Sequence, residues 1–112
     1  MAKLEEKLVG NFDELLQRID DGVKKSLTAT LEDASNLSVG DFRCAVRVYE
    51  RYSIIGKNRV SLNITLIGNR DDLYLSAIAS GGSQAVLFKI NTFGEENFLS
   101  CVRDVVTAFR RR

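Results

Sequence analysis

Apolar residues recur along this chain at two periods, one typical of helices and one typical of strands. A helical stripe follows Asn11, a natural N-cap with Glu14 at the capping-box position. A second helical stripe follows Thr92, with Glu95 in the same relation to it. The pattern predicts one helix ending near Lys24 and another that runs almost to the C-terminus. The stripes comprise Phe12, Leu15, Leu16, Ile19 and Val23, and Phe98, Val102, Val105, Val106 and Phe109.

Between the two helices, alternation of apolar and polar residues indicates strands. The segment 3–9 fits a helix or a strand, and a strand is favoured because Gly10 ends it immediately before the N-cap. The segment 32–41, "EDASNLSVGD", is rich in Asp, Ser, Asn and Gly and is predicted to be a loop. Turns are expected at 56–58 and 68–71. The other predicted strands are 27–31, 42–55, 59–66, 73–80 and 85–90.

The stretch "SGGSQ" at 80–84 lies between two of these strands. A Gly-Gly pair supplies the positive φ angles of a tight hairpin turn. A phosphate-binding loop would need GxxxxGK[ST] or GxGxxG leading into a helix, and neither spacing is present. The pattern favours a hairpin.

The elements together predict one α+β domain over residues 1–112. Its antiparallel β-sheet follows the order β-α-β(4-5)-α, with both helices packed on one face. This order resembles the TATA-binding-protein-like (TBP-like) architecture, to which the helix-grip proteins are related. The phrases "DFRCAVRVYERYS", "NRVSLNITLIG" and "LSAIASGGSQAVLFKINTFGEENFL" also resemble a small uncharacterised bacterial domain family, found mostly in Gram-positive organisms. That family's function is undefined, so the resemblance implies no activity and no site residues.

The composition excludes several classes of function. Sixteen Lys and Arg residues balance fifteen Asp and Glu residues, so a nucleic-acid-coating protein is not indicated. The chain has no histidine, no nucleophile–base pair and no cofactor motif, which argues against an enzyme. Cys44 and Cys101 form no CxxC pair and are expected to be reduced. No apolar run is long enough to span a membrane and no signal peptide is recognisable, so a cytoplasmic location is expected.

The most distinctive predicted surface is the polar face of the strands. Alternation along 42–55 directs Phe42, Cys44, Val46 and Val48 inward and the arginines outward. Arginine and tyrosine together can hold anions or bases, and Ile67 and Ile78 suggest cover by a protein partner or a second copy. A solvated face whose arginines pair with Glu50, Asp71 or Asp72 explains the same residues. The predicted interaction face comprises Arg43, Arg47, Tyr49, Arg51, Arg59, Tyr74 and Ile78, beside Ser61, Asn63 and Thr65.

Two further hypotheses remain open at this point. Cys44, Ala77 and Ala79 are small residues of the expected buried face, and they leave room either for close helix packing or for a small apolar ligand beneath the C-terminal helix. Arg110, Arg111 and Arg112 suggest an acidic partner or simply complement the helix dipole. The sequence thus predicts association with a protein partner or a second copy, with ligand carriage as the alternative.

Overall fold

The structure is a computed structural model that describes residues 1–26, 28–53, 58–81 and 88–112. In these residues the elements follow the order strand, helix, four strands, helix, which confirms the predicted α+β class. The elements are β1 (Ala2–Val9), α1 (Phe12–Lys24), β2 (Ala29–Val39), β3 (Phe42–Ser53), β4 (Asn58–Asn69), β5 (Asp72–Gly81) and α2 (Phe88–Arg111).

The strands form one antiparallel sheet in the order β1-β5-β4-β3-β2, so β4 is the middle strand. Both helices pack on the same side, which we call the helix side, and the opposite surface is the open face. The apolar stripes of α1 and α2 meet the alternating apolar residues of β4 and β5 in one core. Burial of this apolar surface is the main source of the fold's stability.

Several predicted elements are confirmed. The segment 3–9 lies in a strand, β1, which pairs with β5. On β4 the predicted inward residues 60, 62, 64 and 66 are fully buried. On β5 the predicted inward series from Leu73 to Ala79 is buried as well. Each of these two strands has one clearly apolar side, and that side meets the helices.

The N-terminus of α1 has the predicted cap. The Asn11 Oδ1 atom accepts a hydrogen bond of 2.8 Å from the backbone N–H of Glu14, and the helix ends at Lys24 as expected. The first turn also contains Asp13 and Glu14, whose negative charge favours the positive end of the helix dipole.

We expect Asn11→Ala to lower the free energy of unfolding by about 1 kcal/mol, because it leaves an N–H of the first turn without its acceptor. Asn11→Ser retains a capping oxygen and serves as the matched control, with an expected loss below about 0.5 kcal/mol. Urea unfolding followed by circular dichroism measures both values. Equal losses in the two variants would show that the side-chain oxygen of Asn11 is not the source of the effect.

Gly22 has a packing role that the sequence pattern does not reveal. A Cβ atom at this position would lie 2.5 Å from Cγ2 of Val105, on the facing side of α2. The two helices therefore approach closely at a point where α1 presents no side chain. Glycine weakens the last turn of α1, as its helix propensity predicts, but it permits this contact.

The predicted loop at 32–41 is wrong for most of its length. Residues 29–39 form β2, and the chain turns at Gly40 and Asp41. β2 is an edge strand whose residues after Ala29 are all exposed, so it has no buried apolar side. A bulge between Leu31 and Asp33 and the charges there are typical of edge strands, which resist unwanted pairing in this way.

The predicted strand at 85–90 is also wrong where the structure describes it. Residues 88–90 belong to α2, which begins at Phe88, so Thr92 lies within the helix and is not its N-cap. A hairpin partner for β5 would need a free edge beside that strand. β4 and β1 already occupy the two edges of β5.

Other sequence predictions fall outside the described residues. These are the proposed hairpin turn at 82–84, the start of the predicted strand at 85–87, most of the predicted 56–58 turn, the end of the predicted strand at 54–55 and the first predicted residue of β2 at 27.

Candidate functional site

The orientation of β3 differs from the prediction. Tyr49 pairs with Leu62 and Ala45 pairs with Leu66, and all four side chains are fully buried on the helix side. Directly paired residues of neighbouring strands lie on the same face of a sheet. The arginine–tyrosine series of β3 therefore faces the helices, whereas the series from Phe42 to Val48 lies on the open face.

Arg43 contacts the first turn of α1. Its two terminal nitrogens donate to both carboxylate oxygens of Asp13 at 2.9 and 2.8 Å. Its guanidinium also lies 4.2 Å from the centre of the Phe12 ring. The hydrogen bonds from Arg43 hold the pKa of Asp13 below its ordinary value. Asp13 thus accepts from the two guanidinium nitrogens of Arg43 that an external carboxylate or phosphate would need as donors.

The other helix-side residues of β3 have internal contacts as well. The Tyr49 hydroxyl donates to Asp20 at 2.8 Å. Arg47 donates to the Asn36 side chain at 2.9 Å, and the Arg51 guanidinium lies 4.7 Å from the centre of the Phe98 ring. These contacts give the long polar side chains of β3 hydrogen-bond and ring partners at the edge of the helix layer.

The predicted interaction face is thus divided between the two sides of the sheet. Arg59, Tyr74 and Ile78 lie on the open face as predicted, because they alternate with the buried residues of β4 and β5. Arg59 forms a 2.9 Å ion pair with Glu50, which is one of the carboxylates that the sequence suggests as partners for these arginines. A hydrogen bond to Glu5 raises the pKa of Tyr74. The open face consequently has less positive charge than predicted.

The open face instead exposes large apolar side chains. Four of the most exposed ones lie at one end of the sheet, near the turns that join β2 to β3 and β4 to β5. Sequence reasoning placed Phe42 in the core and Leu37 and Val39 in a loop, so it missed their position. The exposed fractions are 76% for Val39, 67% for Val9, 61% for Leu37, 55% for Phe42, 40% for Ile67 and 36% for Ile78.

A groove lies at the same end of the sheet, beside β1. Its volume is about 500 Å³, and it is lined by parts of β1, β4 and β5. Most of its surface is apolar, with Lys7 and Asp72 at its margins. The residues lining it include Val9, Ile67, Asn69 and Tyr74.

The residues suggested as the floor of a ligand cavity do not lie together. Ala77 and Ala79 are fully buried on the helix side within the hydrophobic core. Cys44 is half-buried on the open face, paired with Ile67. The alanines therefore let α2 approach the sheet closely, and Cys44 has no place beneath that helix.

The C-terminal arginines contact the first strand. Arg110 donates to Glu6 at 3.1 Å and to the Lys7 carbonyl at 2.7 Å. Arg112 donates to the carbonyl oxygens of Val9, at 2.8 Å, and of Phe109. These bonds fasten the end of α2 to β1, which gives two of the three terminal arginines a structural role.

Within the described residues, histidine, cysteine and acidic side chains form no group of three that could hold a metal ion. Of the helices described, none has the length and the apolar character needed to cross a bilayer.

Comparison with known proteins places the chain in a family. Searches of curated proteins and of solved structures find no match, so the TBP-like resemblance stays a prediction. The profile of a family of unknown function, DUF6054, matches residues 1–110. This match spans nearly the whole chain and agrees with the expected uncharacterised family. The chain belongs to DUF6054.

Proposed function

We propose that this domain functions by self-association through the open face of its sheet. The observation that supports this proposal is the group of exposed apolar side chains on that face, above all Leu37, Val39 and Phe42. Exposed apolar side chains that are grouped together, and not scattered singly, commonly mark a protein interaction site. The proposal is for a cytoplasmic binding module without a catalytic step.

The size of the open face suits a stable dimer. Five strands about 4.8 Å apart and on average about 35 Å long present a surface of about 800 Å². A standard protein interface buries about 800 Å² on each partner. A second copy that covers most of the open face would therefore form an interface of ordinary size.

The internal contacts of the arginines favour this proposal over nucleic-acid binding. Arg43 forms an ion pair with Asp13, Arg59 with Glu50, and Arg70 with Asp41 at 3.3 Å. A nucleic-acid backbone would have to compete with these carboxylates at each position. Ligand carriage beneath α2 is likewise less well supported, because Ala77 and Ala79 are packed in the core.

A pair of substitutions on one strand tests the proposal. Val39 lies on the open face and Ala34 on the helix side of β2, and both are exposed. We expect Val39→Glu to weaken the dimer at least 30-fold, because it places a charge in an apolar contact. Ala34→Glu introduces the same charge on the same strand and should leave the dimer unchanged. Sedimentation equilibrium measures both dissociation constants.

Two outcomes would contradict self-association through this face. The first is a wild-type chain that remains monomeric throughout the concentration range. The second is equal weakening by Val39→Glu and Ala34→Glu, which would show that the face of β2 does not matter. Native mass spectrometry of the same samples also detects a bound small molecule, which would favour the ligand hypothesis instead.

A further inference from the structure

We propose a specific arrangement of the dimer: two copies pack face to face about a two-fold axis that runs along the middle strand, β4. This inference rests on the proposed function and adds which parts of the open face meet. It is carried by the exposed apolar side chains, the groove and the charges of that face.

The open face has a ridge and a groove at the same end. The group that we call the ridge consists of Leu37, Val39 and Phe42, which are all more than half exposed. Val39 and Phe42 also line a second depression toward the turns at this end of the sheet. The groove is the 500 Å³ depression lined by Val9, Ile67, Asn69 and Tyr74 among others. The ridge lies on β2 and β3, on one side of the middle strand, and the groove extends from β4 across β5 to β1 on the other side.

The strand register defines which residues share a level along the strands. One row crosses the sheet from Leu37 through Cys44, Ile67 and Tyr74 to Lys7. The next row crosses it from Val39 to Val9. Each row therefore begins at the ridge and ends at or beside the groove, at one level of the sheet.

With a two-fold axis along β4, β2 of one copy faces β1 of the other, and β3 of one copy faces β5 of the other. Residues that face each other lie at the same level along the strands. The ridge of each copy then lies over the groove of the other. Val39 faces Val9, so this apolar contact forms twice, while Leu37 faces Lys7 and Phe42 faces Asp72. This is the self-complementary contact that an isologous dimer requires. The strands of the two copies would be aligned within about 30°, as in sheets that pack face to face.

One pair of opposite charges at the other end of the open face supports the same axis. One row runs from Asp33 on β2 through Val48, Asn63 and Ile78 to Lys3 on β1. The axis therefore brings Lys3 of each copy opposite Asp33 of the other. Ile78 faces Val48 in the same row, so an apolar contact lies beside each ion pair. An axis across the strands would not bring these opposite charges together.

Cross-linking at three positions of one row tests the arrangement. Thr65 lies on β4, whereas Ser35 and Glu5 lie in its row on the two edge strands. The axis places Thr65 of one chain about 10 Å from Thr65 of the other chain, which is the usual distance between packed sheets. Ser35 of one chain would lie about 20 Å from Ser35 of the other chain, because this residue is two strands from the axis. The background for these variants is Cys44→Ser with Cys101→Ser.

With a short bis-maleimide, we expect Thr65→Cys to form a covalent dimer and Ser35→Cys to remain uncross-linked with itself. A mixture of the Ser35→Cys and Glu5→Cys chains should cross-link, because the axis brings these positions together. If Ser35→Cys cross-links with itself and Thr65→Cys does not, the dimer pairs through the β2 edges and the axis is wrong. Failure of Thr65→Cys to cross-link in a chain that sediments as a dimer would overturn the axis alone. A monomeric chain would overturn both proposals.

Charge reversal provides an independent test. Lys3→Asp and Asp33→Lys should each raise the dissociation constant of the dimer about fivefold, because each places like charges opposite one another. The double variant restores opposite charges and should bind within about twofold of the wild type. The matched control is Asp21→Lys on α1, which changes the charge equally and lies on the helix side. Additive weakening in the double variant would overturn the predicted contact between Lys3 and Asp33.

Discussion

Replacing Phe98 by alanine is expected to lower the free energy of unfolding by about 3–5 kcal/mol. The Phe98 ring is fully buried between α2 and the sheet, and the Arg51 guanidinium lies against it. The substitution removes the buried ring surface and leaves a cavity that neighbouring side chains fill only in part. For a domain of this size the melting temperature should fall by roughly 15 °C. Urea unfolding gives the free energy and calorimetry gives the temperature.

Phe42→Ala is the matched control, since it makes the same chemical change at an exposed site. Phe42 begins β3 on the open face with 55% of its surface exposed, so we expect a loss below about 0.5 kcal/mol. The measurement needs dilute protein, because dimer formation through the open face would couple stability to concentration. If the two variants lose the same stability, Phe42 is a core residue and the observed orientation of β3 is wrong.

This pair of variants tests the point at which sequence and structure differ most. β4 and β5 were oriented correctly because each has one apolar and one polar side. β3 has apolar residues on both sides, with Val46 and Val48 on one and Ala45 and Tyr49 on the other. Alternation identifies such a strand but does not indicate which side the helices cover. The pairing of Tyr49 with Leu62 and of Ala45 with Leu66 on β4 settles the orientation.

A signal for the correct orientation was present in α1. Asp13 and Asp20 flank its apolar stripe, so their carboxylates lie at the margin of the sheet, within reach of donors on the strand beneath. β3 supplies the donors, through Arg43 to Asp13 and Tyr49 to Asp20. Charge complementarity between a helix and one side of a strand was therefore a better guide to β3 than its apolar alternation.

The other differences have a physical reason in the sheet topology. Residues 32–39 of β2 resemble a loop in sequence because edge strands need no buried side and tolerate Asp, Ser and Asn. The segment 88–90 was predicted as a strand because local alternation does not show that β1 already pairs with β5. The candidate site depends on these long-range pairings, since they bring Leu37, Phe42 and Val9 onto one face.

Tyr49→Phe is expected to lower the free energy of unfolding by about 1.5 kcal/mol at neutral pH, because it removes a hydrogen bond to a carboxylate. The Asp20 carboxylate keeps its ion pair with Lys24 at 3.0 Å, so the loss should be near the lower end for bonds to charged groups. The ring remains buried in the variant, and the change therefore isolates the hydroxyl. Leu62 and the helix stripe pack against the same ring surface in both proteins.

The pH dependence of this loss distinguishes the hydroxyl from a packing effect. Burial, together with the bond to Asp20, raises the pKa of Tyr49 in the folded state well above its ordinary value. Both states keep the phenolic proton below about pH 10, where the contribution of Tyr49 is fully present. Above that pH the unfolded chain loses the proton first, so this contribution falls by up to about 1.4 kcal/mol per pH unit. The free energies of unfolding of the wild type and of Tyr49→Phe should therefore become equal by about pH 11. A difference that stays constant with pH would show that the Tyr49 hydroxyl is not held in a buried hydrogen bond to Asp20.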